Sequence, residues 1–198
     1  MAVLIPFSWW AAHHDRMEWH RFSGYTLLGL LLFRLAWGVA GSAPSRFAHF
    51  VRGPGTVLRY VRGRVDSAPG HNPLGGWSVL AILAALALQI GLGLIAVDED
   101  GLESGPLSYL VGFDTGRWAA KLHHKIFWLI AALIALHLAA ILFYRLAKRR
   151  NLVAAMITGR AAAPEGAEPP AMAPWWRAAV LAVLAGLAAW WVSLGLRL

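Results

Sequence analysis

The sequence predicts an all-α integral membrane protein, a helical bundle with four spanning helices. Three observations predict it. Of the 198 residues, 59% are hydrophobic and only 14% are charged, whereas a soluble domain is about 45–50% apolar and about 25% charged. Four apolar runs reach the roughly 20 residues that a helix needs to cross the hydrocarbon core. None of them alternates with period two, and lipid demands a backbone satisfied within its own segment. The composition excludes a disordered chain, and the absence of cysteine excludes a disulfide scaffold.

The first apolar run, AVLIPFSWWAA from Ala2 to Ala12, is too short to span, since eleven residues make roughly 16 Å of helix. It lacks the basic start and the cleavage site of a signal peptide. It reads as the short remnant of a further helix whose beginning is missing. The spanning runs follow: Phe22 to Gly41, Trp77 to Val97, Leu122 to Tyr144 and Ala178 to Leu196. The second and fourth contain no charge. The expected organisation is a membrane domain over residues 1–160, with spans at about 22–41, 77–97 and 122–144. A linker rich in Ala, Pro and Glu covers 161–174. An additional C-terminal transmembrane helix covers 175–198.

The loops set the orientation. Ser42 to Gly76 carries Arg46, Arg52, Arg59, Arg62 and Arg64 against Asp66. The loop after the third span carries Arg145, Lys148, Arg149, Arg150 and Arg160, then Glu165 and Glu168. Between them lies an acidic loop with Asp98, Glu99, Asp100, Glu103 and Asp114 against Arg117 and Lys121. Basic loops mark the cytoplasmic side. The expected topology is therefore multi-pass in a bacterial cytoplasmic membrane, with the N-terminus and the acidic loop periplasmic. The net charge of +8 reads as this topology signal and not as a nucleic-acid interface. The stretch Arg46 to Arg64 reads either as a membrane-surface helix broken at Gly53–Pro54–Gly55 or as a basic loop on anionic lipid.

Ionisable groups inside a span are costly and mark function by default. His20 stands at the outer entrance of the first span and Arg34 lies within it. His123 opens the third span and His137 lies in its interior. His20 and Arg34 are 14 residues apart, as are His123 and His137. That spacing returns to the same helix face after roughly 21 Å of rise. Both spans run inward, so His20 and His123 share an outer depth, and Arg34 and His137 share an inner one. Facing imidazoles between helices suit haem iron, and Gly24, Gly29, Ala119, Ala120, Ala131 and Ala132 would let a flat macrocycle approach. Lack of cysteine excludes covalent c-type attachment. Zinc would need more ligands at one depth. The bland readings are an interhelical hydrogen bond for His137, and for Arg34 snorkelling to the inner surface or pairing with a haem propionate. His124 is expected to point away from His123. His13, His14, His49 and His71 read as solvated loop residues.

Five segments carry a family resemblance: WHRFSGYTLLGLLLFRLAWG (Trp19–Gly38), GSAPSRFAHFVRGP (Gly41–Pro54), GHNPLGGW (Gly70–Trp77), LHHKIFWLIAALIALH (Leu122–His137) and NLVAAMITGR (Asn151–Arg160). Together they cover about Trp19 to Arg160. The chain resembles the bacterial di-haem membrane cytochrome b superfamily, which holds cytochrome b561 and the b-type subunit of nickel–iron hydrogenases. The resemblance implies haem b between helices and electron transfer between a quinone pool and a protein partner, either a c-type cytochrome or an oxidoreductase subunit. It implies His20 and His123 as ligands of an outer haem and His137 as one ligand of an inner haem. The family's partner for that second ligand lies near the start of its first helix, and no His precedes His13 here. That leaves a truncated chain, an inner site without haem, or a ligand from another chain. Two rival expectations stay open: a quinone-linked oxidoreductase acting on a small substrate at the exposed haem edge, and a non-redox membrane anchor whose histidines join helices.

Overall fold

A computed structural model describes residues 1–63, 73–147 and 170–197. Among them, four helices are long and apolar enough to cross a membrane. These are α2 (Met17–Ala40), α5 (Pro73–Ile95), α6 (Phe113–Ala147) and α7 (Trp175–Ser193). Three shorter helices complete the described fold: α1 (Leu4–His13), α3 (Phe47–Phe50) and α4 (Pro54–Val61). All four long helices begin several residues before the apolar runs do. Hydropathy marks what lipid tolerates, whereas a helix continues through polar residues until a breaking signal. Pro174 provides that signal before α7, in extended conformation. The 35 residues of α6 extend about 52 Å, well beyond a hydrocarbon core of about 30 Å. Its first turn carries Asp114, where a carboxylate favours the helix dipole.

The short apolar run near the N-terminus is helical and folds back on α2 as a tight hairpin. Its turn is closed by the Arg16 amide on the Ala11 carbonyl at 2.8 Å. Asp15 adopts φ 54° there, a left-handed conformation that Asp tolerates better than most residues. On α2 the buried residues Ser23, Leu27 and Leu31 recur every four positions. This stripe faces the bundle and carries His20, three residues earlier, with it. The core joins Leu31 to Leu83, Ala85 and Leu86 of α5 and Ile130 of α6. Met1 and Ile5 pack against the same cluster.

α7 lies antiparallel along α2. A Cβ added at Gly29 would meet the Ala189 Cβ at 3.5 Å and the Ala185 carbonyl at 3.8 Å, the close approach that small residues permit in lipid. Gly29 therefore serves this contact and not a cofactor. One end of α7 is held by Arg177, which donates to the Ala40 carbonyl at 3.2 Å. The other end is held by the Tyr109 hydroxyl, which donates to the Gly195 carbonyl at 2.8 Å.

At the basic end, the stretch Arg46 to Arg64 is a broken helix and not a bare loop as far as it is described, with the break just before Pro54. It holds α3 and α4, separated at 51–53, with Pro54 in the first turn of α4. The Tyr60 and Tyr144 hydroxyls share a hydrogen bond, which ties α4 to α6. His49 lies within α3 and His13 ends α1, so neither is the loop residue expected. His71, Arg64, Asp66, Lys148, Arg149, Arg150, Arg160, Glu165 and Glu168, with the segment 151–160 and most of the expected linker, lie outside the described residues.

The acidic connection between α5 and α6 folds back over the end of α5. The Gly105 amide donates to the Ala96 carbonyl at 2.8 Å, and the Leu107 amide to the Leu94 carbonyl at 2.8 Å. A Cβ at Gly105 would stand 2.3 Å from the carbonyl oxygens of Gly93 and Leu94. Backbone cannot give way as a flexible side chain does. Gly105→Ala is expected to lower stability by about 1–3 kcal/mol. Gly186→Ala, where an added Cβ meets nothing within 4 Å, should be neutral or slightly stabilising. Thermal unfolding of the two variants in the same detergent checks the contrast.

Candidate functional site

A cavity of about 680 Å3 opens at the acidic end of the bundle, among α1, α2, α5, α6 and the α5–α6 loop. Its inner walls are apolar, with Ile5, Leu27, Leu86, Ile90 and Ile130 among them. Two imidazoles project into it, His20 from α2 and His123 from α6. Their ring centroids are 6.0 Å apart and their planes stand at 81°.

Each ring is oriented by a helical carbonyl. His20 Nδ1 lies 2.9 Å from the Ser8 carbonyl of α1 and 3.1 Å from the Ser8 hydroxyl. His123 Nδ1 lies 2.8 Å from the Gln89 carbonyl of α5. A carbonyl only accepts, so each Nδ1 carries the proton and donates it. Each Nε2 of the neutral ring is then an unprotonated lone pair, the form that binds a metal. Both acceptors already serve their helices, and the residues four positions on are small. Ala12 follows Ser8, and Gly93 follows Gln89. A Cβ at Gly93 would come within 2.9 Å of His123 Cε1, so glycine leaves the room that the imidazole occupies.

The donor set fits haem better than a bare ion. No group of three or more His, Cys, Asp or Glu among the described residues could hold a metal ion by itself. Two imidazoles supply axial ligands only, and a macrocycle brings the equatorial ones. Gly24, on the His20 face, borders the cavity, and a Cβ there would enter open space. Gln89 Oε1 and Asp98 Oδ1, both of residues lining the cavity, are buried without a hydrogen-bond partner. Such orphans cost stability until something supplies them.

Charges gather at the mouth. Arg21 pairs with Glu103 at 2.5 Å, and Arg117 pairs with Glu99 at 2.7 Å. The Arg117 guanidinium holds the Glu99 carboxyl below the usual carboxylate range. Pairs as exposed as these contribute little to stability. Trp9 of α1 stacks on Phe127 of α6 at 5.7 Å and on His13 at 5.2 Å. All three line the cavity.

The four residues singled out from sequence thus fall into two places. His20 and His123 meet in the cavity. Arg34 and His137 do not meet. The Arg34 guanidinium lies over the Phe47 ring at 4.9 Å and reaches the Ser45 carbonyl at 3.4 Å. His137 Nδ1 shares a 2.7 Å hydrogen bond with the Ser78 hydroxyl of α5. Among the described residues no ring contact joins His137 to another imidazole. His124 is exposed but lines the same cavity as His123, with ring centroids 6.3 Å apart, so it does not point wholly away. Of the small residues expected near a macrocycle, Gly24 and Ala120 border the cavity.

Sequence reasoning missed Ser8, Gln89, Gly93, Arg21 and Glu103. Gln89 carried a signal, as a polar side chain in a span that is otherwise almost wholly apolar. Ser8 and Gln89 orient the ligands through main-chain oxygens, which every residue has, so their roles left no trace in residue type.

The family model described as prokaryotic cytochrome b561 matches residues 1–159. No curated protein and no solved structure matches the chain.

The Ser78–His137 contact is an interhelical hydrogen bond of the kind worth about 0.6 kcal/mol on average in membrane proteins. A double-mutant cycle of Ser78→Ala and His137→Ala, read by reversible unfolding in detergent, should return a coupling of about that size.

Proposed function

Because the chain belongs to the prokaryotic cytochrome b561 family, we propose that its His20–His123 cavity holds one haem b with both imidazoles as axial ligands. Membership makes the protein a membrane b-type cytochrome that transfers electrons. The observation that carries the site assignment is the pair of imidazoles 6.0 Å apart in one cavity, each with Nδ1 committed to a helical carbonyl.

Bound there, haem b supplies one-electron exchange between ferrous and ferric iron. The chain's own groups hold and shield that centre. The Ser8 and Gln89 carbonyls fix the ring orientations and raise the basicity of each Nε2. Since α1 supplies one carbonyl and α5 the other, four helices share in positioning two ligands. The apolar inner walls exclude water. Neither imidazole has to leave during turnover, so the cavity changes little between oxidation states.

In this reading His137 retains its hydrogen bond to Ser78 and joins α5 to α6, and Arg34 anchors the start of the basic loop. The single haem lies near the periplasmic surface, because the acidic loop closes the cavity and the basic stretch with Arg46, Arg52, Arg59 and Arg62 occupies the other end. The membrane quinone pool is the proposed exchange partner on one side. A c-type cytochrome or an oxidoreductase subunit is the proposed partner at the exposed mouth. The residues beyond the family match include α7, which we assign as an additional transmembrane helix braced on α2.

Pyridine haemochrome assay of the purified protein should return one haem b per polypeptide. His20→Ala and His123→Ala should each abolish the Soret band, whereas His124→Ala should leave it nearly unchanged. Equal losses in all three variants would reject the assignment of the ligands.

A further inference from the structure

We propose that Arg21 and Arg117 are the seats for two carboxylates of the bound ligand, and that Glu103 and Glu99 stand in for them until it enters. The proposal rests on the haem b reading and adds to it how the cavity holds the ligand's charged edge. Haem b carries two free propionates, and the cavity offers charge at its mouth only.

The geometry points to an exchange. Both guanidiniums line the cavity, one from each of the two helices that carry the imidazoles. Arg21 adjoins His20, and Arg117 stands six residues before His123, roughly 9 Å nearer the mouth along α6. Both are engaged by carboxylates of one loop. The lining contains three cations, Arg21, Arg117 and Lys121, and three anions, Asp98, Glu99 and Glu103. Ferrous haem b with both propionates ionised is a dianion, and at the mouth its two carboxylates leave an excess of negative charge unless two others withdraw. Glu99 and Glu103 are placed to do so, with side chains 83% and 41% exposed. Rotating them into water leaves the balance at three and three. Asp98 stays, with its buried Oδ1.

The loop does not depend on the glutamate side chains for its shape. Its backbone is held by the Asp98 amide on the Glu103 carbonyl at 3.0 Å and by the Gly105 and Leu107 amides on the Ala96 and Leu94 carbonyls. The glutamates can therefore release without unfolding the loop. Arginine suits the incoming groups, because its planar fork matches a carboxylate with two parallel hydrogen bonds.

Full-length protein produced under haem limitation and held in detergent is titrated with haem b and with its dimethyl ester, whose carboxylates are blocked. Binding is read from the Soret band. The wild type should bind haem b about tenfold or more tightly than the ester, the scale of hydrogen bonds to a charged group. Arg21→Gln with Arg117→Gln should erase that preference and leave ester binding unchanged, which also shows that the cavity is intact. Glu99→Gln with Glu103→Gln should tighten haem b binding several-fold and leave the ester alone. Wild-type protein that binds both porphyrins equally would overturn the proposal and leave the haem site standing, as would an arginine variant that keeps the preference. A Soret band that stays that of free haem or free ester in detergent, with no shift on titration, would overturn the haem site and the proposal together.

Discussion

Two hydrogen bonds, from imidazole Nδ1 to the carbonyls of Ser8 and Gln89, decide what the cavity at the acidic end can do. A histidine left to itself exposes either ring nitrogen and turns freely. Here the carbonyls fix the tautomer, and so both free lone pairs belong to Nε2. The requirement spreads through the fold. Ser8 is in place because α1 returns along α2 through the turn at Asp15. The Gln89 carbonyl is reachable because Gly93 leaves room for the ring. The α5–α6 packing that buries Ile130, Leu83 and Leu86 keeps His123 beside α5.

The two ends of the bundle handle polar side chains differently. At the acidic end the rings are turned into a cavity and the charges stand at its mouth. At the basic end polar groups are consumed in packing. His137 meets Ser78, Arg34 lies on Phe47, and Tyr60 meets Tyr144. The 14-residue spacing gives Arg34 and His137 a common depth, but common depth does not bring two side chains together. Of the two pairs, only His20 and His123 meet.

Much of the architecture was legible in the residues, because lipid imposes a simple rule on length and hydropathy. The four long helices follow from apolar runs of spanning length. His20 and His123 stood out as a pair, because each opens a span and each lies 14 residues before another ionisable group. What the residues concealed was contact between main-chain atoms and side chains distant in sequence. Nothing in Ser8 announces that its carbonyl receives His20. Helix ends were also hidden, since α6 continues through the polar residues from Asp114 to Lys121 before its apolar run begins. His13 read as a solvated loop residue; it is exposed as expected, but it ends α1 and stacks on Trp9 at the cavity rim.

The central claim is that one iron is held between His20 and His123. Electron paramagnetic resonance of the oxidised protein addresses it directly, because two strong axial imidazoles make ferric iron low-spin and the angle between their planes sets the anisotropy. With planes at 81°, a strongly anisotropic low-spin signal is expected. A high-spin ferric signal from the intact protein would contradict it.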